Sequence, residues 1–146
     1  MRKCHAAVVC AVIGLTANAA LASDLEMIRS TQDATVYIDR TTMAGEAGKR
    51  RVWSIWDHKK TQVNVYGEPY GSAALHNEYD CQARTVRLLE IAEYTGPRAG
   101  GDMVRSYPAD DSGPRRIAPQ TVAWGIMEAV CEIRLPSQIK LQNRYF

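Results

Sequence analysis

The first 22 residues decide which part of this chain has to fold, and in which compartment. Two basic residues near the start precede an apolar run, Ala6–Leu21. Ala20-Leu21-Ala22 then supplies the small residues that signal peptidase reads. This order of features predicts a secretory signal peptide over residues 1–22, with cleavage between Ala22 and Ser23.

Two other uses of this segment have to be weighed. A permanent membrane helix needs about 20 predominantly apolar residues, and this shorter run contains Thr16 and Asn18. A lipid-modified start would use Cys10, but Val9 stands where a small residue is expected, and the apolar run continues past that cysteine. We therefore expect a periplasmic or secreted protein without a lipid anchor or a membrane-spanning segment, and Cys4 and Cys10 leave with the signal peptide.

The charge balance of the exported chain argues against nucleic acid as a partner. Removing 22 of 146 residues leaves 124, the size of one domain. Arg2 and Lys3 leave with the signal, so the 18 basic residues fall to 16, which equals the 16 acidic residues. A nucleic-acid binder shows a basic excess. The only dense basic runs, Lys49-Arg50-Arg51 and Lys59-Lys60, are predicted to be solvated strand ends.

Cys81 and Cys131 are the only cysteines that remain after cleavage. Two cysteines in a small exported domain usually form a disulfide, because the compartment is oxidising. A free thiol or a metal site is the alternative, but neither cysteine has a C-x-x-C partner or an adjacent histidine. We therefore predict a Cys81–Cys131 disulfide.

The pattern from Leu25 to Tyr107 is mostly that of short strands. Six segments rich in β-branched and aromatic residues are separated by turn residues. One of them, Thr85–Thr95, fits either a helix or a strand by pattern alone, and its neighbours favour a strand. In that strand Val86, Leu88, Glu90, Ala92 and Tyr94 would share one side. Residues 110–119 are predicted to form a loop.

The hydrophobic period changes to that of a helix over Gln120–Ile133. Pro119 suits a helix start and Pro136 prevents continuation. The predicted fold is α+β: a single antiparallel sheet of about six strands, with a C-terminal helix packed on one face and tethered by the disulfide. The domain would span residues 23–136, followed by a polar tail over residues 137–146.

Several motifs resemble those of one family of secreted bacterial domains. They are VYID from Val36, VWSIWD from Val52, YGSAALHNEYDC from Tyr70, Arg84, and Trp124 with Cys131. In this order and spacing they resemble the surface-adhesin protein E family over about Leu25–Cys131. The resemblance implies the same sheet and tethered helix. It also implies a founding member that is a surface lipoprotein and binds laminin and vitronectin, whereas this chain lacks a matching lipidation cysteine.

Chemistry-bearing residues are sparse in the rest of the chain. His58 and His76 are the only histidines after cleavage, and no recognised metal-ligand or catalytic spacing surrounds them. We expect no catalytic residues and no cofactor. The tryptophans have two interpretations, since they could fill the core or form an exposed contact patch; they are Trp53, Trp56 and Trp124.

Two functional hypotheses follow from these observations. The first is a non-enzymatic exported envelope protein that acts through protein–protein contact, with host or envelope proteins as partners. Adhesin-like binding of host matrix or serum proteins is its sharper form. The alternative is a periplasmic protein that binds a small ligand, a metal or haem through His58 or His76. The sequence sets neither the partner nor the oligomeric state.

Overall fold

A computed structural model describes residues 24–110 and 113–132. The elements, in chain order, are β1 (Leu25–Ser30), β2 (Ala34–Ala44), β3 (Lys49–Val63), β4 (Pro69–Asp80), β5 (Thr85–Tyr94), β6 (Met103–Pro108), β7 (Arg115–Arg116) and α1 (Val122–Glu132). Strands β1 to β6 form an antiparallel meander in sequence order, and β7 adds two residues to β5. The predicted fold class is confirmed.

The helix covers one face of the sheet, which we call the helix side; the other is the far side. Buried residues alternate along β2 and the first half of β3, so every second side chain there faces the helix side. The buried cluster on the helix side contains Val36, Ile38, Val52, Tyr79, Ile117, Ile126, Met127 and Val130. A smaller cluster on the far side is built on Ile55, Ala74 and Ala92. The main core therefore lies between the sheet and α1.

Helix α1 starts two residues later than predicted. Gln120 has a positive φ of 65°, which is incompatible with a helix, and the Thr121 hydroxyl accepts a hydrogen bond from the Trp124 N–H at 3.2 Å. Thr121 is thus the N-cap, a position that favours its side chain. Ile133, the predicted last helical residue, lies outside the described residues.

A disulfide joins Cys81, just after β4, to Cys131 in the last turn of α1, with the two Cα atoms 5.7 Å apart. At the opposite end the helix approaches β1 so closely that a Cβ on Gly125 would lie 3.2 Å from Cγ2 of Ile28. The helix therefore crosses the sheet from β1 to the β4–β5 turn and is fastened at that turn, as the sequence predicted.

The strand prediction for residues 85–95 is confirmed, but the predicted side is wrong for its second half. His76 pairs with Glu90, while Asn77 pairs with Leu88, so Leu89 is an extra residue. Such a bulge reverses the alternation beyond it. Val86 and Leu88 face the helix side together with Ile91 and Glu93, rather than with Glu90, Ala92 and Tyr94.

Two further predictions need correction. The segment predicted as a loop over residues 110–119 contains β7. In addition, Arg50 is not a solvated strand end, since it is only 5% exposed. Arg50 lies two residues before Val52 on β3, so the two side chains share the helix side.

Candidate functional site

Part of the helix side is left open beyond the helix, because α1 packs mainly against β1, β2 and β3. A groove of about 270 Å³ lies on β3 to β6 at the end of the sheet away from the disulfide. It is lined by Trp56, His58, Tyr70, Ala73, Leu75, Ile91, Glu93 and Tyr107. Aromatic and aliphatic side chains thus surround a single carboxylate.

The connection between β3 and β4 closes one end of this region, and Asn64 holds its shape. The Asn64 Oδ1 atom accepts the backbone N–H groups of Tyr66 and Glu68, both at 3.0 Å. Its Nδ2 atom donates to Glu68 at 3.1 Å and to Glu93 at 2.7 Å. All four hydrogen bonds that this amide can form are therefore used, and one of them ties the turn to β5.

A second tie runs from the same turn to β6. Arg105 donates two parallel hydrogen bonds to the Glu68 carboxylate, at 2.7 and 2.8 Å. Its guanidinium also lies 4.2 Å from the centre of the Tyr66 ring, a cation–π contact. The hydrogen bonds from Arg105 and then Asn64 lower the pKa of Glu68 to about 2.

The hydrogen bonds of Asn64 and Arg105 fix a region in which several apolar side chains are exposed to water. Val63, Val65 and Tyr66 are 65%, 91% and 62% exposed. We call these three residues the apolar tip. Most isolated apolar residues at a protein surface need no explanation, but a turn fixed to two other strands restricts how these three can move. The tip is therefore a defined surface rather than a loose loop.

Glu93 connects the tip to the groove. Its carboxylate is nearly buried, at 4% exposure for the residue. Besides the bond from Asn64, it accepts a hydrogen bond from the Tyr107 hydroxyl at 3.1 Å. Burial, and then the contact with Glu93, raises the pKa of Tyr107. The bulge at Leu89 is what turns Glu93 toward the groove.

The two histidines named by the sequence are not brought together. His58 lines the groove, edge-on to the Tyr70 ring with the centroids 5.5 Å apart. His76 lies on the far side, stacked on Trp53 with the ring centroids 4.8 Å apart. Burial lowers the pKa of both histidines. Within residues 24–110 and 113–132 no three metal-binding side chains cluster.

The three tryptophans occupy three different places, and none is fully buried. Trp53 stacks on the far side as described above. Trp56 packs against the main core and also lines the groove. Trp124, on the first turn of α1, donates to Glu128 at 2.7 Å and lies 5.6 Å from the Arg84 guanidinium. All three pack against hydrophobic clusters, Trp56 and Trp124 against the main core and Trp53 against the smaller one on the far side, and they do not form one contact patch.

The basic runs form internal contacts. Arg51 and Lys49 both pair with Glu78, at 2.8 and 3.7 Å. Lys59 donates to the backbone oxygen of Thr31. The single carboxylate of Glu78 therefore offsets one of the two positive charges of Lys49 and Arg51.

The sequence analysis missed the polar residues that build this site. They are Asn64, Glu68, Glu93, Arg105 and Tyr107. Glu93 faces the helix side only because of the bulge at Leu89, so alternation along the sequence provided no signal for it. The signal-peptide residues, including Ala22 and Ser23, lie outside the described residues.

The sheet and the tethered helix define a small α+β domain with one face covered by α1. The profile of the surface-adhesin protein E family matches residues 25–132, so the chain belongs to this family. No curated protein sequence matches it. Among the described residues, no helix is long and apolar enough to cross a membrane.

Solved structures of Haemophilus influenzae protein E have a similar fold. The structure from a non-typeable strain is 12% identical, with a TM-score of 0.53 over 72% of this chain and 74% of that one. The selenomethionine form is also 12% identical, with a TM-score of 0.53 over 76% of this chain and 92% of that one. At such identities the likeness concerns the fold alone.

Proposed function

We propose that this protein is a non-enzymatic, exported envelope protein that acts through protein–protein contact, with the apolar tip as its contact surface. The observation that carries the proposal is the hydrogen-bond network around Asn64, Glu68 and Arg105, which fixes a turn bearing three exposed apolar side chains. Membership of a surface-adhesin family supports the same conclusion.

Pre-organisation explains why such a network would be useful. A contact surface that is already ordered loses less conformational entropy when a partner binds. Tyrosine is also enriched among the residues that contribute most to interfaces. A rigid turn that presents Tyr66 beside two valines thus combines the chemistry and the order that a protein contact needs.

The sharper form of this proposal is adhesin-like binding of host matrix or serum proteins. Laminin and vitronectin are the candidates that the family resemblance implies. Periplasmic or outer-membrane proteins of the producing cell are the other class of partner. In either case the chain is exported after removal of residues 1–22, and the domain spans residues 23–136, ahead of a polar tail.

A solid-phase binding assay of the exported protein tests the proposal. Laminin, vitronectin and fractionated envelope proteins are immobilised, and saturable binding to at least one is expected. Val65→Glu, which places a charge at the most exposed tip position, should weaken that binding. Met27→Glu is the control, because Met27 is a 61% exposed apolar residue on β1, away from the tip. Absence of saturable binding to every candidate would contradict the proposal.

A further inference from the structure

The groove combines aromatic walls with a carboxylate, and this combination favours one class of ligand. Trp56, Tyr70 and Tyr107 contribute rings, and Glu93 contributes the negative charge. Aromatic faces attract cations through the ring quadrupole. A carboxylate in a partly desolvated position strengthens the attraction, because water screens it less. The lining is therefore complementary to an organic cation.

The carboxylate has room for additional hydrogen bonds. An ionised carboxylate offers about four acceptor positions, and Glu93 receives one bond from the Asn64 amide and one from the Tyr107 hydroxyl. Both donors are neutral. Arg105 is opposite Glu93 in the β5–β6 register and attracts it through space, but its Nε and Nη2 atoms hydrogen-bond to Glu68 and leave the remaining acceptor positions of Glu93 open.

His58 is the basic residue of the groove lining. Burial lowers the pKa of His58 from its ordinary value, which favours the neutral imidazole. It contributes a flat ring beside Tyr70 rather than a competing cation.

The shape of the groove selects between kinds of cation. A metal ion would need several ligands, and the groove offers one carboxylate. A lysine ammonium is a compact, strongly hydrated charge, so it gains less from a groove that is partly open to water. A planar guanidinium stacks on rings and forms two parallel hydrogen bonds to a carboxylate.

We propose that the groove receives an arginine side chain of the protein that the apolar tip contacts. The inference rests on the proposed function, because it names the chemistry of the same partner. Tip and groove are adjacent, since Asn64 hydrogen-bonds both the turn and Glu93, which lines the groove. A partner seated on Val65 and Tyr66 would therefore reach the groove with a neighbouring residue.

A peptide titration of the exported protein tests this inference. The probe is acetyl-Gly-Gly-Arg-Gly-Gly-amide, and its control carries citrulline, which has the same shape but no charge. Binding is followed by NMR shifts of the Trp56 indole and of the groove backbone amides. We expect the arginine peptide to bind at least about tenfold more tightly than the citrulline peptide, which is a difference of about 1.4 kcal/mol.

Substitutions in and outside the groove test whether the arginine peptide binds at Glu93. Glu93→Gln keeps the side-chain shape and should reduce binding of the arginine peptide at least about tenfold. Glu90→Gln removes the same charge from the far side of the same strand and should leave binding unchanged. If Glu93→Gln unfolds the protein, Tyr70→Leu, which removes an aromatic wall, should weaken binding instead.

Two results would overturn the inference: equal binding of the arginine and citrulline peptides, or no binding of either one. The proposed function fails separately. If the arginine peptide does not bind but Val65→Glu still abolishes binding in the solid-phase assay, the tip contact stands and the arginine assignment is wrong.

Discussion

At the scale of single residues, Asn64 does more than any other side chain to define the tip. It satisfies two backbone N–H groups of the turn and two carboxylates from different parts of the chain. From the sequence, Asn64 looks like an ordinary turn asparagine, whose side chain hydrogen-bonds to the backbone of its own turn. Asn64 differs because it also donates a hydrogen bond to Glu93, 29 residues away, and so attaches the turn to β5.

We predict that Asn64→Ala lowers the free energy of unfolding by about 1–3 kcal/mol, because a nearly buried carboxylate loses a donor. Urea denaturation of the exported protein measures the change. Gln62→Ala is the control, since Gln62 bonds only to the backbone of Lys60 nearby, and it should change stability by less than about 0.5 kcal/mol. Equal effects of the two substitutions would contradict the role given to Asn64.

Glu68 should make the stability of the tip depend on acid. Its folded-state pKa of about 2 lies below the ordinary value of 4.5. A carboxyl group with a lowered pKa contributes stability that is fully present above its unfolded pKa and is lost as pH falls toward the folded one. The loss should therefore occur between about pH 4.5 and pH 2.

Melting curves over this range provide the test. The melting temperature of the unmodified protein should fall more steeply with decreasing pH than that of Glu68→Gln, which has no carboxyl group to protonate. Glu46→Gln, in the exposed β2–β3 loop, should retain the original steepness. A slope in Glu68→Gln as steep as in the unmodified protein would show that the Arg105 pair contributes nothing.

At the scale of elements, helix α1 depends on its attachment to the sheet. A helix of 11 residues is marginal in isolation. Its buried face and the Cys81–Cys131 bond hold it in place. In the chain-entropy account, closing a loop across 50 residues stabilises the fold by about 4 kcal/mol.

Replacing Cys131 with Ala should lower the free energy of unfolding by about 2–5 kcal/mol. Hydrogen exchange should first accelerate in the amides of α1, because the sheet keeps its own ladder of hydrogen bonds. Mass spectrometry without reductant should detect a linked Cys81–Cys131 peptide in the unmodified protein. Two alkylatable thiols in the native exported protein would refute the bond, and unchanged melting of the variant would refute its importance.

The strands and the helix could be predicted from the sequence, but the bulge in β5 could not. Alternation and helical period predicted the meander and α1, because each signal is local. The bulge at Leu89 depends on how β5 pairs with β4, so a pattern read along one strand cannot locate it. The error placed Glu93 on the wrong side and hid the groove.

The polar site was hidden for a related reason. Glu68 and Arg105 are 37 residues apart, and their pairing depends on how the β3–β4 turn lies across β6. Arg50 is a similar case: a charged residue in a basic run is ordinarily solvated, but its position on β3 faces the core. In both cases the tertiary arrangement overrides the preference of the residue type.

At the scale of the whole molecule, export determines the compartment in which the contact occurs. Cleavage between Ala22 and Ser23 stays a prediction, and the intact mass of the exported protein tests it. The mass should equal that of a chain starting at Ser23, minus two hydrogens for the disulfide. Additional mass from a diacylglyceryl group on Cys10 would instead indicate a surface lipoprotein.

The proposed function requires that the apolar tip contacts another protein. Photo-crosslinking in the producing cells tests it most directly, with a benzophenone amino acid in place of Val65 and, as a control, in place of Met27. We expect a discrete crosslinked protein adduct from position 65 and none of the same size from position 27. Adducts of the same size from both positions, or none from position 65, would contradict it.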